Sequence, residues 1–458
     1  MVNIDTNLKI GDLRLQVERM FELSAHKILS LEKSWDSSRG APVFTAAGSY
    51  TSRGWTEWTH GFQFGSALLQ YEATGDGKFL ALGRAGTTTS MARHVSHVGV
   101  HDHGFNIVST YGNLLRMMRE GTIPETESER QGLELALKVS GAVQAARWTA
   151  LPGGLGYIYS FNGPHSLFAD TVRSLRSLAV AHQLGHVLME EGDNKVNLLH
   201  RLLAHAETTA LYNVYFGKGR DAYDVRGRVA HESIFNLNNG SYRCPSTQQG
   251  YSPFSTWTRG LAWILLGFSE QLEFLSTLSG SEFKPAWNKR DVLRRFSDVA
   301  GAVADYYLDE MPTDGIPYWD TGAPGLVRLE GYRDRPADPF NDHEPVDSSA
   351  AAIAAQGFIR LGRYLAANGQ KKTGMRYLST ALTIARALLS PPYLSESPRH
   401  QGLILHSIYH RPNNWDYKPS GSRIPRGESS QWGDYHAREL GLILLRMIES
   451  KPYYSFGI

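Results

Sequence analysis

WTRGLAWILLGFSEQLEFLSTLS, residues 257–279, is apolar around most of its helical circumference and is followed by Gly280. A helix with one apolar stripe covers a core from outside, whereas one that is apolar on most faces has to be enclosed. A glycine just past such a run suits the left-handed position that ends a helix, because it has no side chain to clash there. The same grammar recurs at 60–74 before Gly75, 104–120 before Gly121, 167–190 before Gly192 and 347–368 before Gly369, and without the glycine at 432–450. These six segments read as inner helices. Between them, 12–33, 77–97, 126–148, 194–215, 286–310 and 370–389 are amphipathic and charge-bearing, and read as outer helices. Six of each in alternation, with no β-rich block and no low-complexity linker, predict an all-α (α/α)6 barrel in one domain over 1–458. An open solenoid of hairpins competes, but the helix lengths and intervals vary too much for a regular stacking repeat.

The segments that enter the inner helices are long. Those at 34–59, 149–166, 216–256, 311–346 and 390–431 hold most of the Gly, Pro, Trp and Asn. Long irregular connections in a compact domain are usually functional. Since all of them lead to the N-terminal ends of inner helices, they are expected to gather at one mouth of the barrel. Trp55, Trp58 and His60 stand at the first of these helix starts, and His101, Asp102 and His103 at the second. Asp170, then Gln249, Trp257 and Arg259, then Asp347 and Ser348, and lastly Trp432 and Asp434 mark the others.

Composition narrows the function. The 47 basic and 45 acidic residues leave a net charge of +2, with no Lys/Arg block to suggest nucleic acid or a membrane surface as partner. The opening MVNIDTNLKIGDLRLQVERMF lacks the features of a secretory signal, and no apolar run of about 18 residues occurs. A cytoplasmic protein is expected, or a periplasmic one if a signal has been removed. A single cysteine, Cys244, excludes an internal disulfide, fits a reducing compartment and has no obvious base beside it. The 10 Trp, 22 Tyr and 18 Phe, in a chain only 20% charged, suit stacking against sugar rings as well as a core.

The acids divide by context. Asp347 and Asp434 read as helix caps or structural hydrogen-bond acceptors. Asp102 precedes Gly104 and a helical run, where capping competes with chemistry. Asp170 lies inside LFADTVRSLRSL, where a cap is less natural and an unpaired carboxylate costly. An ion pair with Arg173 or Arg176 would satisfy it. The sharper reading sets Asp170 and Asp102 face to face across the mouth, each raising the other's proton affinity, so that one stays protonated near neutral pH as a general acid. His94, His97, His101, Asp102 and His103 have spacing that suits zinc or iron. Consecutive side chains around a turn diverge, however, and no second motif completes the set, so neither a metal nor a cofactor is expected. No phosphate-binding loop, G-x-S-x-G elbow or dinucleotide fingerprint occurs.

HDHGF (101–105), WTHGFQFG (58–65), QGYSPFSTWTRGLAW (249–263), DSSAAAIAA (347–355) and WGDYH (432–436) resemble, in order over nearly the whole chain, the unsaturated glucuronyl hydrolases of glycoside hydrolase family 88. The resemblance implies an (α/α)6 barrel that removes a 4,5-unsaturated uronic acid from the non-reducing end of lyase-generated oligosaccharides. It implies Asp170 as the acid/base with Asp102 as its carboxylate partner. It further implies substrate contacts from Trp58, His231, Gln249, Trp257, Arg259 and Trp263, with Arg259 suited to the anionic sugar and the indoles to stacking. The expected partner is the unsaturated oligosaccharide, bound by a monomer or weak homodimer. Gln248 and Leu261 depart from the family's usual His and Gln, the run after Asp170 differs, and 216–231 is longer, which leaves the aglycone subsite open. The unsaturated rhamnogalacturonyl hydrolases are the neighbouring reading. A sugar epimerase or isomerase resting on His101, His103 and His231, or a non-catalytic saccharide-binding toroid, are readings from other classes.

Overall fold

The computed structural model describes residues 1–55 and 57–457; residues 56 and 458, which fall in the predicted loop 34–59 and at the end of the predicted domain, lie outside it. Among the described residues, helices α1 (Arg14–Ser34), α2 (His60–Thr74), α3 (Gly77–Thr89), α4 (103–119), α5 (Glu127–Ala146) and α6 (171–183) form the first half. Helices α7 (Leu198–Tyr212), α8 (Thr258–Thr277), α9 (Lys289–Glu310), α10 (Ser348–Ala367), α11 (Lys371–Leu388) and α12 (Gln431–Ile448) form the second. The even-numbered helices are the inner ones. Each packs on the next, and α12 packs on α2, so the ring closes into an α/α barrel and the open solenoid is excluded. Every residue of α8 from Thr258 to Leu272 is buried, whereas α9 buries a stripe that includes Val292, Phe296, Val299 and Val303. No helix among the described residues is long and apolar enough to cross a membrane.

Among the described residues, polar side chains cap six of the twelve helix starts. Asn197, Asn288, Asp347 and Ser430 each accept a backbone N–H from the first turn that follows. Gly75, Gly121 and Gly369 take the left-handed conformation expected of them, with φ of 71°, 70° and 86°. Gly280 does not; it opens a short 3-10 turn, Gly280–Phe283, after α8 has ended at Thr277.

The predicted helix 167–190 is the main departure. Ser166–Phe168 is a strand, β1, paired antiparallel with β2 (Glu232–Phe235), which in turn pairs with β3 (Tyr242–Ser246). The far end, Val187–Met189, forms a hairpin with Lys195–Asn197, and Gly192 lies in its turn at φ 66°. A short apolar run fits a buried strand or a helix equally by periodicity, and here long-range pairing decides. The consequence is that Asp170 sits at the start of α6 rather than inside it. α4 also departs from regularity, with a π-helical stretch at Val108–Gly112 between its two α segments.

One glycine positions the site. A side chain at Gly104 would meet the Ser174 carbonyl oxygen at 2.1 Å, so only glycine lets α4 press this closely on α6. The contact is locked by Gly104 N–H donating to Ser174 Oγ at 2.9 Å and Arg176 Nη2 donating to the Gly104 carbonyl at 2.7 Å. Asp102 and Asp170, two residues before Gly104 and four before Ser174, are thereby brought together.

Candidate active site

Four of the five long loops meet at one mouth. Trp58 from the first, Phe161 from the second, Gln248 and Gln249 from the third, and Tyr409, His410 and Trp415 from the last, together with Trp257 at the start of α8, line a cavity of about 600 Å³ counting its open end. Loop 311–346 supplies none of the described lining and instead backs it, Asp320 Oδ2 accepting the Tyr251 N–H at 2.8 Å. Asp102 and Asp170 line the same cavity with Phe105, Phe168 and Trp263.

His101 lies between the two carboxyls. Its Nε2 is 3.7 Å from Asp102 Oδ1 and 3.7 Å from Asp170 Oδ2, contacts of charge rather than hydrogen bonds at that length. The ring is edge-on to Phe161 and Phe168, with centroids at 4.7 and 5.6 Å. On the other side of Asp170, His231 Nε2 is 4.0 Å from Oδ1. His231 Nδ1 accepts the N–H groups of Gln248 and Gln249 at 3.0 and 3.4 Å, which assigns its proton to Nε2, facing Asp170.

The bland readings of the two acids do not hold. Asp102 occupies the cap position of α4 but makes no side-chain cap hydrogen bond. Asp170 likewise caps nothing, and its supposed partners are engaged elsewhere, Arg173 with Glu270 and Glu439, and Arg176 near the same two glutamates. Asp347 and Asp434 do behave as structural acceptors. Asp347 caps α10 and pairs with Arg259, while Asp434 accepts from Tyr50 Oη at 2.7 Å and from the N–H groups of Leu403 and Ile404.

The electrostatics distribute the protons unevenly. Burial pushes the Asp102 carboxyl up to about 6, with the nearby Asp170 charge adding to the rise and His101 opposing it. Burial also pushes Asp170 up, but His101 and His231 outweigh it and hold it below the ordinary carboxylate value. Burial pushes the His101 imidazole down, yet the two carboxylates more than compensate and raise it. Mutual repulsion left open which of the two would be protonated; the raised proton affinity falls on Asp102, because His101 and His231 both act on Asp170. Both ring nitrogens of His101, Asp102 Oδ2, Asp170 Oδ1 and His231 Nε2 are buried without a hydrogen-bond partner among the described residues. Buried polar atoms are nearly always paired, and here the unpaired carboxyls line a cavity, where a bound molecule could reach them.

The histidine run separates as its turn geometry suggests. His103 turns away to Ser140 Oγ at 2.8 Å and the His97 carbonyl at 2.9 Å, and His94 pairs with His60 at 3.1 Å beside a different cavity. Only His101 stays with the carboxyls. One donor atom each from His101, Asp102 and Asp170 come within 4.8 Å of one another, a spacing a cation could share and one an acid–base pair equally requires.

The expected substrate residues fall into two groups. Trp58 stacks on the buried Trp432 at 5.1 Å and 28° and presents its other side to the cavity; Trp257 packs on His231 at 4.8 Å, and Trp263 on Phe105 at 4.9 Å. Gln249, His231 and these three indoles stand around the acid pair. Arg259 lines the cavity but is 1% exposed, and both of its terminal nitrogens are engaged within the protein, so its expected direct contact with an anionic sugar is not what the geometry favours. Its Nη1 donates to Asp347 Oδ2 at 2.6 Å and to the Ile408 carbonyl, and its Nη2 to Gln249 Oε1 at 3.0 Å and the Tyr409 carbonyl at 2.8 Å. Sequence reasoning missed His101 as a member of the acid group, and the aromatic wall of Phe161, Phe168, Tyr409 and Trp415. Their only signal was placement, His101 beside Asp102 and the aromatics in or next to loops already marked as functional.

A closed α/α barrel with a buried acid pair under an aromatic mouth is the class that fold and site define. The chain has relatives among curated proteins and solved structures. It is 26% identical over 403 residues, 87% of this chain and 89% of the other, to the unsaturated glucuronyl hydrolase of Bacillus sp. strain GL1. It is 26% identical over 409 residues, 87% and 83% of the two chains, to the unsaturated chondroitin disaccharide hydrolase of Streptococcus pyogenes serotype M1. The crystal structure of the unsaturated glucuronyl hydrolase of Bacillus sp. GL1 superposes with a TM-score of 0.70 at 23% identity, covering 96% of this chain and 98% of that one, and establishes the shared fold. No family model matches the chain. Its curated relatives are named unsaturated glucuronyl hydrolases or unsaturated chondroitin disaccharide hydrolases, and its structural neighbours unsaturated glucuronyl hydrolases.

Proposed function

We propose that the chain is a glycosidase of the unsaturated glucuronyl hydrolase type, with residues 1–458 as one catalytic domain. It removes a 4,5-unsaturated uronic acid from the non-reducing end of lyase-generated oligosaccharides, and so serves polysaccharide degradation. The observation that carries this reading is the buried His101–Asp102–Asp170 group, short of hydrogen-bond partners at the base of an aromatic cavity. The unsaturated sugar is an enol ether. A proton delivered to C4 develops oxocarbenium character at C5, water adds at C5, and the resulting hemiketal opens and expels the remaining saccharide. One group that gives a proton and then activates water is sufficient.

Asp170 fits that role, being the more accessible of the two acids at 8% against 2% exposure. Asp102 lies deeper and with His101 forms a proton store. Arrival of an anionic sugar beside Asp170 raises its proton affinity, which draws the proton toward the reacting carbon. Trp58, Trp257 and Trp263 supply faces for stacking, and His231 and Gln249 supply polar contacts. The protein then works without a cofactor, as a monomer or weak homodimer, in the cytoplasm or, where a signal has been removed, the periplasm.

The test is loss of enol-ether absorbance with uronate-glucose, uronate-amino sugar and uronate-rhamnose disaccharides. A wild-type protein inert on all three refutes the hydrolase reading, and preference for the rhamnose substrate transfers it to the rhamnogalacturonyl type. Full activity in Asp170→Asn refutes the acid assignment alone. Elemental analysis of the purified protein reads the cation alternative separately; a stoichiometric transition metal would refute the acid–base account of His101, Asp102 and Asp170.

A further inference from the structure

Arg259 holds a segment of chain rather than an open coordination position. Its two terminal nitrogens make four hydrogen bonds, to Asp347, Gln249 and the carbonyls of Ile408 and Tyr409, and each nitrogen carries only two hydrogens. The same stretch is gripped from its other side. Asp416, half-buried in the loop, accepts the N–H of Tyr409 through Oδ1 and that of His410 through Oδ2, the latter at 2.9 Å. Asp347 Oδ1 adds a longer contact of 3.4 Å from the Ile408 N–H. Carbonyls to a cation and N–H groups to an anion polarise these peptides in the same direction, so the two ions reinforce each other. What they fix is the outer wall of the cavity: Tyr409, whose hydroxyl accepts from Trp58 Nε1 at 3.4 Å, and His410 and Trp415, whose rings are 4.7 Å apart.

The geometry points to Arg259 as a positioning residue that, with Asp347 and Asp416, clamps the 408–416 strap against the sugar-binding cavity, and not as the ligand of the substrate's carboxylate. The inference rests on the saccharide reading for its substrate but not for its structural content. It also assigns recognition of the anionic sugar to neutral donors: His231 Nε2–H, the amides of Gln248 and Gln249, and the Tyr409 hydroxyl.

The test pairs kinetics with hydrogen exchange. Arg259→Met is made together with Asp347→Asn, so that no buried carboxylate is left alone, and Asp416→Asn is made separately. Substrates are an unsaturated uronate disaccharide and its carboxyl-reduced form, a primary alcohol of the same shape. In the double variant kcat/KM is expected to fall by on the order of a hundredfold, the scale set by misplacing a positioning group by about 1 Å, and by the same factor for acid and alcohol. Asp416→Asn is expected to lower kcat/KM with the same lack of discrimination, and the amides of 408–410 to exchange faster in both proteins. A loss confined to the acid substrate, or unchanged exchange at 408–410 in the double variant, overturns the clamp. If the double variant does not fold, Asp416→Asn decides: unchanged exchange and kinetics overturn the proposal. If wild type acts on neither substrate, the hydrolase reading fails, and the exchange result still decides the clamp.

Discussion

Two groups of buried charge sit on the inner helices and have opposite constitutions. Between the inner helices, Arg173, Arg176 and Arg360 face Glu270, Glu273 and Glu439, three cations against three anions. The tightest contacts there are 2.6 to 2.9 Å. Burial pushes Glu439 up, but Arg173 and Arg176 overcome it and hold it at about 2, so it is ionised at neutral pH. At the mouth, Asp102 and Asp170 share one cationic neighbour, His101, at 3.7 Å. That group is a cation short, and a proton makes up the difference. A balanced network is a structural element; an unbalanced one whose charge is completed by a mobile proton is equipped for chemistry.

The contrast can be broken from either side. Asp170→Asn should lower kcat/KM by on the order of 10²–10⁴-fold, the range of a general acid–base contribution, with the thermal midpoint unchanged or raised. An activity loss that tracks unfolding would make the mouth cluster structural instead. Arg173→Met should do the reverse, costing about 3–5 kcal/mol in denaturant unfolding because it strands Glu270 and Glu439, while molecules that remain folded keep the wild-type KM. Gly104→Ala should cost about 1–3 kcal/mol by forcing α4 away from α6, and should also lower kcat, since the separation of Asp102 and Asp170 depends on that contact. A stability loss with kcat intact would show that the pair does not depend on Gly104.

The pH dependence sharpens the same difference. Asp102 is raised from 3.8 to about 6 on folding, so the stability tied to its proton is fully present below the unfolded value and is lost as pH rises through about 6. Asp102→Asn, which cannot ionise, should therefore be more stable than wild type above that pH, by about 1–3 kcal/mol, and no more stable below about 4. Wild-type kcat/KM should fall as pH rises through about 6, and the variant should lose that limb. Equal stability of the two proteins at pH 8 would mean that Asp102 carries no raised proton affinity. Glu439→Gln, in contrast, should be destabilising across the whole neutral range.

Much of this was legible in the sequence because it is local. The start of α2 and the ends of α2, α4 and α10 followed from apolar periodicity and terminal glycine, and the long loops named the mouth. Where the reading failed, a partner distant in sequence had decided. Ser166–Phe168 became a strand because Glu232–Phe235 was there to pair with it, which moved Asp170 to a helix start. Arg259 looked available to a substrate because nothing in WTRGLAW announces carbonyls 149 and 150 residues away. His101 stood next to Asp102 in plain view, but its role depends on the carboxylate it also reaches on another helix.

The sequence by itself determined a barrel of paired helices, the mouth at which its long loops meet, and the acids that stand there, because hydrophobic period, capping and turn chemistry act over a few residues. Only the tertiary structure decided which acid holds the proton and which cation is already taken. Proton affinity and ion pairing depend on distance and burial through space, and those are set by segments that meet only when the ring has closed.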